Sequence, residues 1–220
     1  MISFASLDQQ RQLLGQNQET LSTAIQEYLR SNLLEYELAR AAAANPAAGE
    51  LTLRRSQAEE MVDAVLALDK DPTRLEPDDL LDLNRMVSDS EDVFRQVAVP
   101  PLNPAHQPLD LAIVPKAFHR FFEWVRSPSF GEIHAIEQMT LSQIRLCEIQ
   151  PFEQHSPVTI SLFCLLFLLR GGYLMPLYRV QELADYHRAL EQAFLLSTED
   201  LVRFNTRACE RAYRYALMNL

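Results

Sequence analysis

The sequence predicts an all-α domain interrupted once, and three observations carry that prediction. Apolar side chains recur every three or four residues along most of the chain, the spacing of one helix face. Only five glycines are present in 220 residues, too few for a turn-rich β fold. Five of the twelve prolines fall between residues 88 and 115, which confines the non-helical backbone largely to one place.

The elements follow in order. Residues 18–44 hold helix formers and no proline, with Leu21, Ile25, Leu29 and Leu33 as a four-residue stripe. Asn45-Pro46 and Gly49 end that helix, because proline disfavours helix in the residue before it. Residues 55–68 form a second helix around Met61, Val62, Val65 and Leu66, and 69–73 read as a turn. Pro77 opens a third through 87, with Asp78 and Asp79 at the positive end of the helix dipole. Val97-Ala98-Val99 reads as a short strand or hairpin, followed by an extended loop to Pro115. Helices resume over 116–126, rich in aromatic residues (Phe118, Phe121, Phe122, Trp124), and over 131–149. The most apolar helix, 157–170, is expected to be capped by Ser156, to carry Pro157 at its first position and to stop at Gly171-Gly172. Helices over 180–196 and 198–218 complete the chain, and Ser197-Thr198-Glu199-Asp200 supplies a cap and an acidic first turn.

Composition narrows the function. Thirty acidic against twenty basic residues give a formal charge of -10, which disfavours a phosphate backbone as partner. A 48% hydrophobic content excludes a disordered chain. Cys147, Cys164 and Cys209 follow no metal spacing and read as buried thiols in a reducing compartment. His119 and His134 have no partner at ligand spacing. The N-terminus lacks a basic start followed by a long apolar core, and the longest apolar run, 162–169, falls far short of the ~20 residues of a membrane-spanning helix. These features set the expectation of one domain over 1–220, cytoplasmic, with no metal, no cofactor, no nucleic acid and no membrane.

The stretch Glu148-Ile-Gln-Pro-Phe-Glu-Gln-His-Ser-Pro-Val-Thr-Ile-Ser, continued by an apolar helix to Arg170-Gly-Gly-Tyr173, resembles the Fic family signature. That signature is Ile-His-Pro-Phe-x-Asp-Gly-Asn-Gly-Arg-x-x-Arg, followed by an apolar helix ending in Arg-x-Gly-Tyr. Ile149, Pro151, Phe152, Arg170, Gly172 and Tyr173 fall in register without a gap. Phe94-Arg95 and Val97-Ala98-Val99 sit where the family carries a β-hairpin flap that holds a target peptide. Ser31-Asn-Leu-Leu-Glu35-Tyr36 resembles the inhibitory Ser-x-x-x-Glu-Gly helix of self-inhibited members. The resemblance covers roughly residues 31 to 195. It implies a Fic-like helical bundle with a short β-hairpin flap before the central helix: N-terminal helices over 1–87, flap and loop over 88–115, helical core over 116–220.

The resemblance implies AMP transfer from ATP to a protein hydroxyl, and at each polar position this chain departs from it. Gln150 stands in the position of the base and does not titrate. Gln154 stands in the position of the metal-binding acid, and a neutral amide is a poor Mg²⁺ ligand. His155, Ser156 and Pro157 replace Gly-Asn-Gly, and Pro157 lacks an N–H for phosphate. Val158 and Ser161 replace the two arginines. The chain thus resembles a degenerate member. Two readings stay open: a pseudoenzyme acting as a binding or regulatory module through the flap, and a repurposed enzyme with a different donor. The candidate working groups are Gln150, Glu153 and His155. The candidate substrate-binding residues are Glu35, Arg95, Val97, Gln154, Ser156 and Thr159. The partner is a protein or peptide at the flap or a small molecule, and self-association stays open.

Overall fold

The computed structural model describes residues 2–15, 23–44, 53–68, 71, 74–88 and 93–220. Its helices are α1 (Ala5–Gly15), α2 (Thr23–Ala44), α3 (Arg55–Ala67), α4 (Pro77–Arg85), α5 (Val114–Val125), α6 (Pro128–Gly131), α7 (Ala135–Ile149), α8 (Ser156–Arg170), α9 (Leu183–Phe194) and α10 (Glu199–Met218). The all-α expectation holds. The expected helix stop at Asn45, Pro46 and Gly49, and most of the turn at 69–73, lie outside the described residues.

α8 is the axis of the molecule. It is apolar on every side, and Ile160, Leu162, Phe163, Leu166, Phe167 and Leu168 are all at most 1% exposed. Such a helix is stable only when surrounded. α7 runs against it, and α2, α3 and α4 cover its other sides. α5 packs on α7 and α4, while α10 packs on α7, α9 and α1. The aromatic residues of the 116–126 expectation are core: Phe118, Phe121 and Phe122 are at most 2% exposed, and Phe122 meets Phe163 of α8 edge-on at 5.9 Å.

α8 stops as its two glycines predict. Gly172 adopts φ +75, Tyr173 N–H reaches Leu168 O at 3.2 Å, and Gly172 N–H reaches Leu169 O at 2.9 Å. A Cβ on Gly171 would lie 2.5 Å from Ala135 Cβ, so glycine there lets α7 start close against α8.

Three expectations change. α1 lies where no helix is expected, since only Leu7 and Leu14 of its residues are buried. Tertiary contacts hold it instead. His134 Nδ1 accepts from Ile136 N–H at 3.2 Å, so its proton lies on Nε2, which donates to the Tyr173 hydroxyl at 2.8 Å. Tyr173 in turn donates to Asp8 of α1, and Phe4 stacks on the His134 ring at 3.9 Å. The expected helix over 131–149 starts only at Ala135, and Gly131 closes the short α6 before it.

The hairpin is the third change. Among the described residues there is no strand, and 93–113 has no regular element. Arg95 is turned inward, spending its side chain on backbone carbonyls, and Pro100 and Pro101 offer no N–H to a ladder.

Candidate functional site

The site forms where α7 ends and α8 begins. Gln150 closes α7 in the left-handed region at φ 44, with its N–H on Leu146 O at 2.8 Å. His155 reopens the backbone at φ 53 just before α8. Two non-glycine residues in left-handed conformation bracket a four-residue turn, the kind of strained segment that surrounding structure must hold.

Three groups hold it. Arg95 is 4% exposed and lies under the loop. Its backbone N–H donates to Pro151 O at 2.9 Å, its Nε donates to Gln150 O at 2.8 Å, and its Nη2 donates to Leu109 O. Phe152 is 2% exposed and meets Phe118 edge-on. Asn84 of α4 donates to both Gln154 O and Thr159 Oγ1 at 3.3 Å.

Above the loop is a cavity of about 410 Å³, a size that takes a small molecule. Gln150, Glu153, Gln154, His155 and Ser156 line it together. Five of the nine candidates therefore converge. The other four do not line it. Glu35 is exposed on α2. Arg95 and Thr159 are buried supports whose polar groups serve the loop. Val97 is 50% exposed outside the cavity, whose edge is formed by Val99, Pro100, Pro101 and Leu102.

The charged group at the cavity comes from elsewhere on α2. Glu37 and Arg40 are 1% and 2% exposed. Arg40 donates through Nε to Glu37 Oε2 at 2.9 Å and through Nη2 to the same oxygen. Nη2 also donates to Pro157 O at 2.7 Å, and Nη1 donates to the Tyr186 hydroxyl at 3.1 Å. Ser161 of α8 donates to Glu37 Oε1 at 2.8 Å. Gln143 of α7 donates to Tyr186 Oη at 3.2 Å. Burial works against the Arg40 charge, but the adjoining Glu37 carboxylate outweighs it and holds the guanidinium protonated. Arg40 is the one Lys or Arg among the described residues that line the cavity, and it is spent on Glu37.

Sequence reasoning passes over this pair, although a signal exists. Leu29, Leu33, Glu37 and Arg40 continue one helical stripe, so two opposite charges fall on an apolar face three residues apart. His187 of α9 is also missed. It lines the cavity, and burial together with the Arg40 charge lowers its pKa below the usual imidazole value. Cys147 lines the cavity too, but burial pushes its thiol up to about 12, which makes it a poor nucleophile.

Ser156 departs from its expected role. It is the first residue of α8 rather than its cap, and among the described residues its hydroxyl has no hydrogen-bond partner. Gln150 Oε1 is in the same state, while Gln150 Nε2 lies 3.5 Å from Pro100 O. Among the described residues, no three His, Cys, Asp or Glu side chains gather as a metal would require. No described helix is long and apolar enough to cross a membrane.

The architecture is thus an all-helical domain with a small-molecule-sized cavity at the N-terminus of its central helix, and solved structures share its fold. Fic-1 from C. elegans superposes with a TM-score of 0.72 at 20% identity, covering 99% of this chain and 71% of that one. A Fic domain signaling protein from Bacteroides thetaiotaomicron gives 0.70 at 14% identity, covering 97% and 96%. A Fic family protein from Desulfovibrio desulfuricans gives 0.65 at 17% identity, covering 100% and 76%. These likenesses show the Fic fold. In sequence, the chain is 32% identical over 122 residues to a protein adenylyltransferase Fic of Nematostella vectensis, a match that spans 56% of this chain and 27% of that protein. No family model matches the chain. The chain thus has the Fic fold, and along that stretch it is similar in sequence to a Fic adenylyltransferase of which it spans about a quarter of the length.

Proposed function

We propose that the chain is a degenerate Fic-fold protein, a binding or regulatory module that no longer transfers AMP. The observation that carries this reading is the buried Glu37–Arg40 pair. A triphosphate is held by unspent cations and backbone N–H groups. Here the cavity's guanidinium is already matched by a carboxylate, and Pro157 offers no N–H. Gln150 supplies no titrating group where the relatives' motif has its base, and Val158 and Ser161 supply no charge where it has arginines. The residues present do not fit a magnesium–triphosphate either: Gln154 is an amide, and no acidic cluster lies nearby among the described residues.

The module works in the cytoplasm and engages a protein, a peptide or a small molecule at the cavity mouth. The segment 94–99 serves as the flap, with the half-exposed Val97 as an apolar contact for the partner.

One observation favours a second reading, a repurposed enzyme acting on another donor. His187 is neutral near pH 7 and lines the cavity beside His155 and Glu153, a set able to move a proton. Incubation of the chain with labelled ATP, Mg²⁺ and cell lysate distinguishes these from the relatives' named activity. The expected result is no transferred label, and robust labelling that disappears in Gln150→Ala overturns the proposal. If cellular function survives simultaneous replacement of Glu153, His155 and His187 by alanine, the binding reading stands over the second.

A further inference from the structure

We infer that the cavity takes an uncharged ligand presenting an amide-like edge, one hydrogen-bond donor beside one acceptor, on an apolar body. The inference deepens the binding reading above and rests on it.

Two buried atoms carry it. Gln150 is 6% exposed and Ser156 is 2% exposed, and both line the cavity. Neither Gln150 Oε1 nor Ser156 Oγ has a hydrogen-bond partner among the described residues. Buried polar atoms are almost always partnered, so two orphans on residues that line one cavity mark where a ligand would complete the bonding. The carboxamide orientation follows from its surroundings. Turning it over would set Oε1 against the Pro100 carbonyl, so Nε2 stays on that side and Oε1 is the free atom. Oε1 can only accept, which calls for an N–H or O–H on the ligand. Ser156 supplies the complementary group. Its hydroxyl can donate, and it opens a 15-residue helix whose positive end favours an acceptor atom.

The charges argue against an ion. Arg40 is matched by Glu37, so an anion meets no unspent guanidinium. An ammonium group at Gln150 would face the positive end of α8. His187 is held neutral, and Glu153 is exposed at the rim, where water screens it. The remaining walls are largely apolar, with Val99, Pro100, Leu102, Val158 and Leu190 among them. They suit the body of the ligand rather than its polar edge.

Three probes of one shape and different charge test this on the full chain near neutral pH: benzamide, benzoate and benzylamine, each titrated by ligand-observed NMR. Benzamide is expected to bind saturably, with benzoate and benzylamine at least about tenfold weaker. Gln150→Met and Ser156→Ala, each verified as folded by its thermal transition, are expected to weaken benzamide about tenfold. Benzoate or benzylamine binding as tightly as benzamide overturns the inference while leaving a binding cavity, and hence the proposed function, in place. Benzamide binding that neither variant weakens, or no saturable benzamide binding up to its solubility, also overturns it. By contrast, transferred label from ATP would strike the proposed function itself.

Discussion

At the residue scale, Arg40 shows how a side chain can change the meaning of a site from outside its motif. The Glu37–Arg40 pair is sealed beneath the cavity, with Ser161, Tyr186 and the Pro157 carbonyl completing its bonds. Breaking such a pair leaves one charge buried alone, which costs more than removing both. Glu37→Ala should therefore lower unfolding free energy by about 3–5 kcal/mol in urea titration, while Glu37→Leu combined with Arg40→Met should recover most of that loss. Arg95 offers a second test. It is a candidate for substrate contact by position, yet in the structure it serves the carbonyls of Gln150 and Leu109. Arg95→Met should cost about 2–3 kcal/mol in the same titration, because those acceptors lose charged donors. The motif positions themselves were legible in sequence, and Gln150, Glu153, Gln154, His155 and Ser156 do meet at one cavity. Glu37, Arg40 and His187 were not, because helical spacing says which face a residue shares but not what that face meets.

At the element scale, the irregular segment before α5 is held by His106. Its Nδ1 accepts from Leu102 N–H at 2.9 Å, its ring stacks on Phe194 at 4.9 Å, and burial lowers its pKa. The unfolded chain, with a histidine pKa of about 6.5, then binds the proton more readily than the folded one. Stability is fully present above that value and is lost as pH falls through the lowered pKa. A thermal transition followed from pH 7.5 to pH 5 should shift downward, and His106→Gln should flatten that shift. The same segment shows where period-2 reasoning misleads: three small apolar residues suggest a strand, but a strand needs a ladder, and the inward-turned Arg95 and the two prolines deny it one. The turn after α9 supplies a further test. Leu196 sits at φ 69 and 91% exposed, while Ser197 N–H bonds Gln192 O at 2.9 Å. That is the place where helices usually put glycine, so Leu196→Gly should raise stability by about 1 kcal/mol in denaturant titration.

At the scale of the whole molecule, fold and chemistry separate. The fold was readable because its strongest signals are local: an apolar helix with a proline at its start and two glycines at its end, and helical stripes around it. α1 was not readable, since its place depends on the Asp8–Tyr173–His134 chain of hydrogen bonds, whose partners lie more than a hundred residues away. The cavity's charge state was unreadable for the same reason, and it carries the functional argument. In the proposed function, the Fic-fold cavity persists while its affinity for a nucleotide triphosphate does not. Calorimetric titration of the chain with magnesium–ATP tests that most directly. No saturable binding is expected into the millimolar range, and micromolar binding that weakens in Gln150→Ala or Ser156→Ala would contradict the proposed loss of nucleotide affinity.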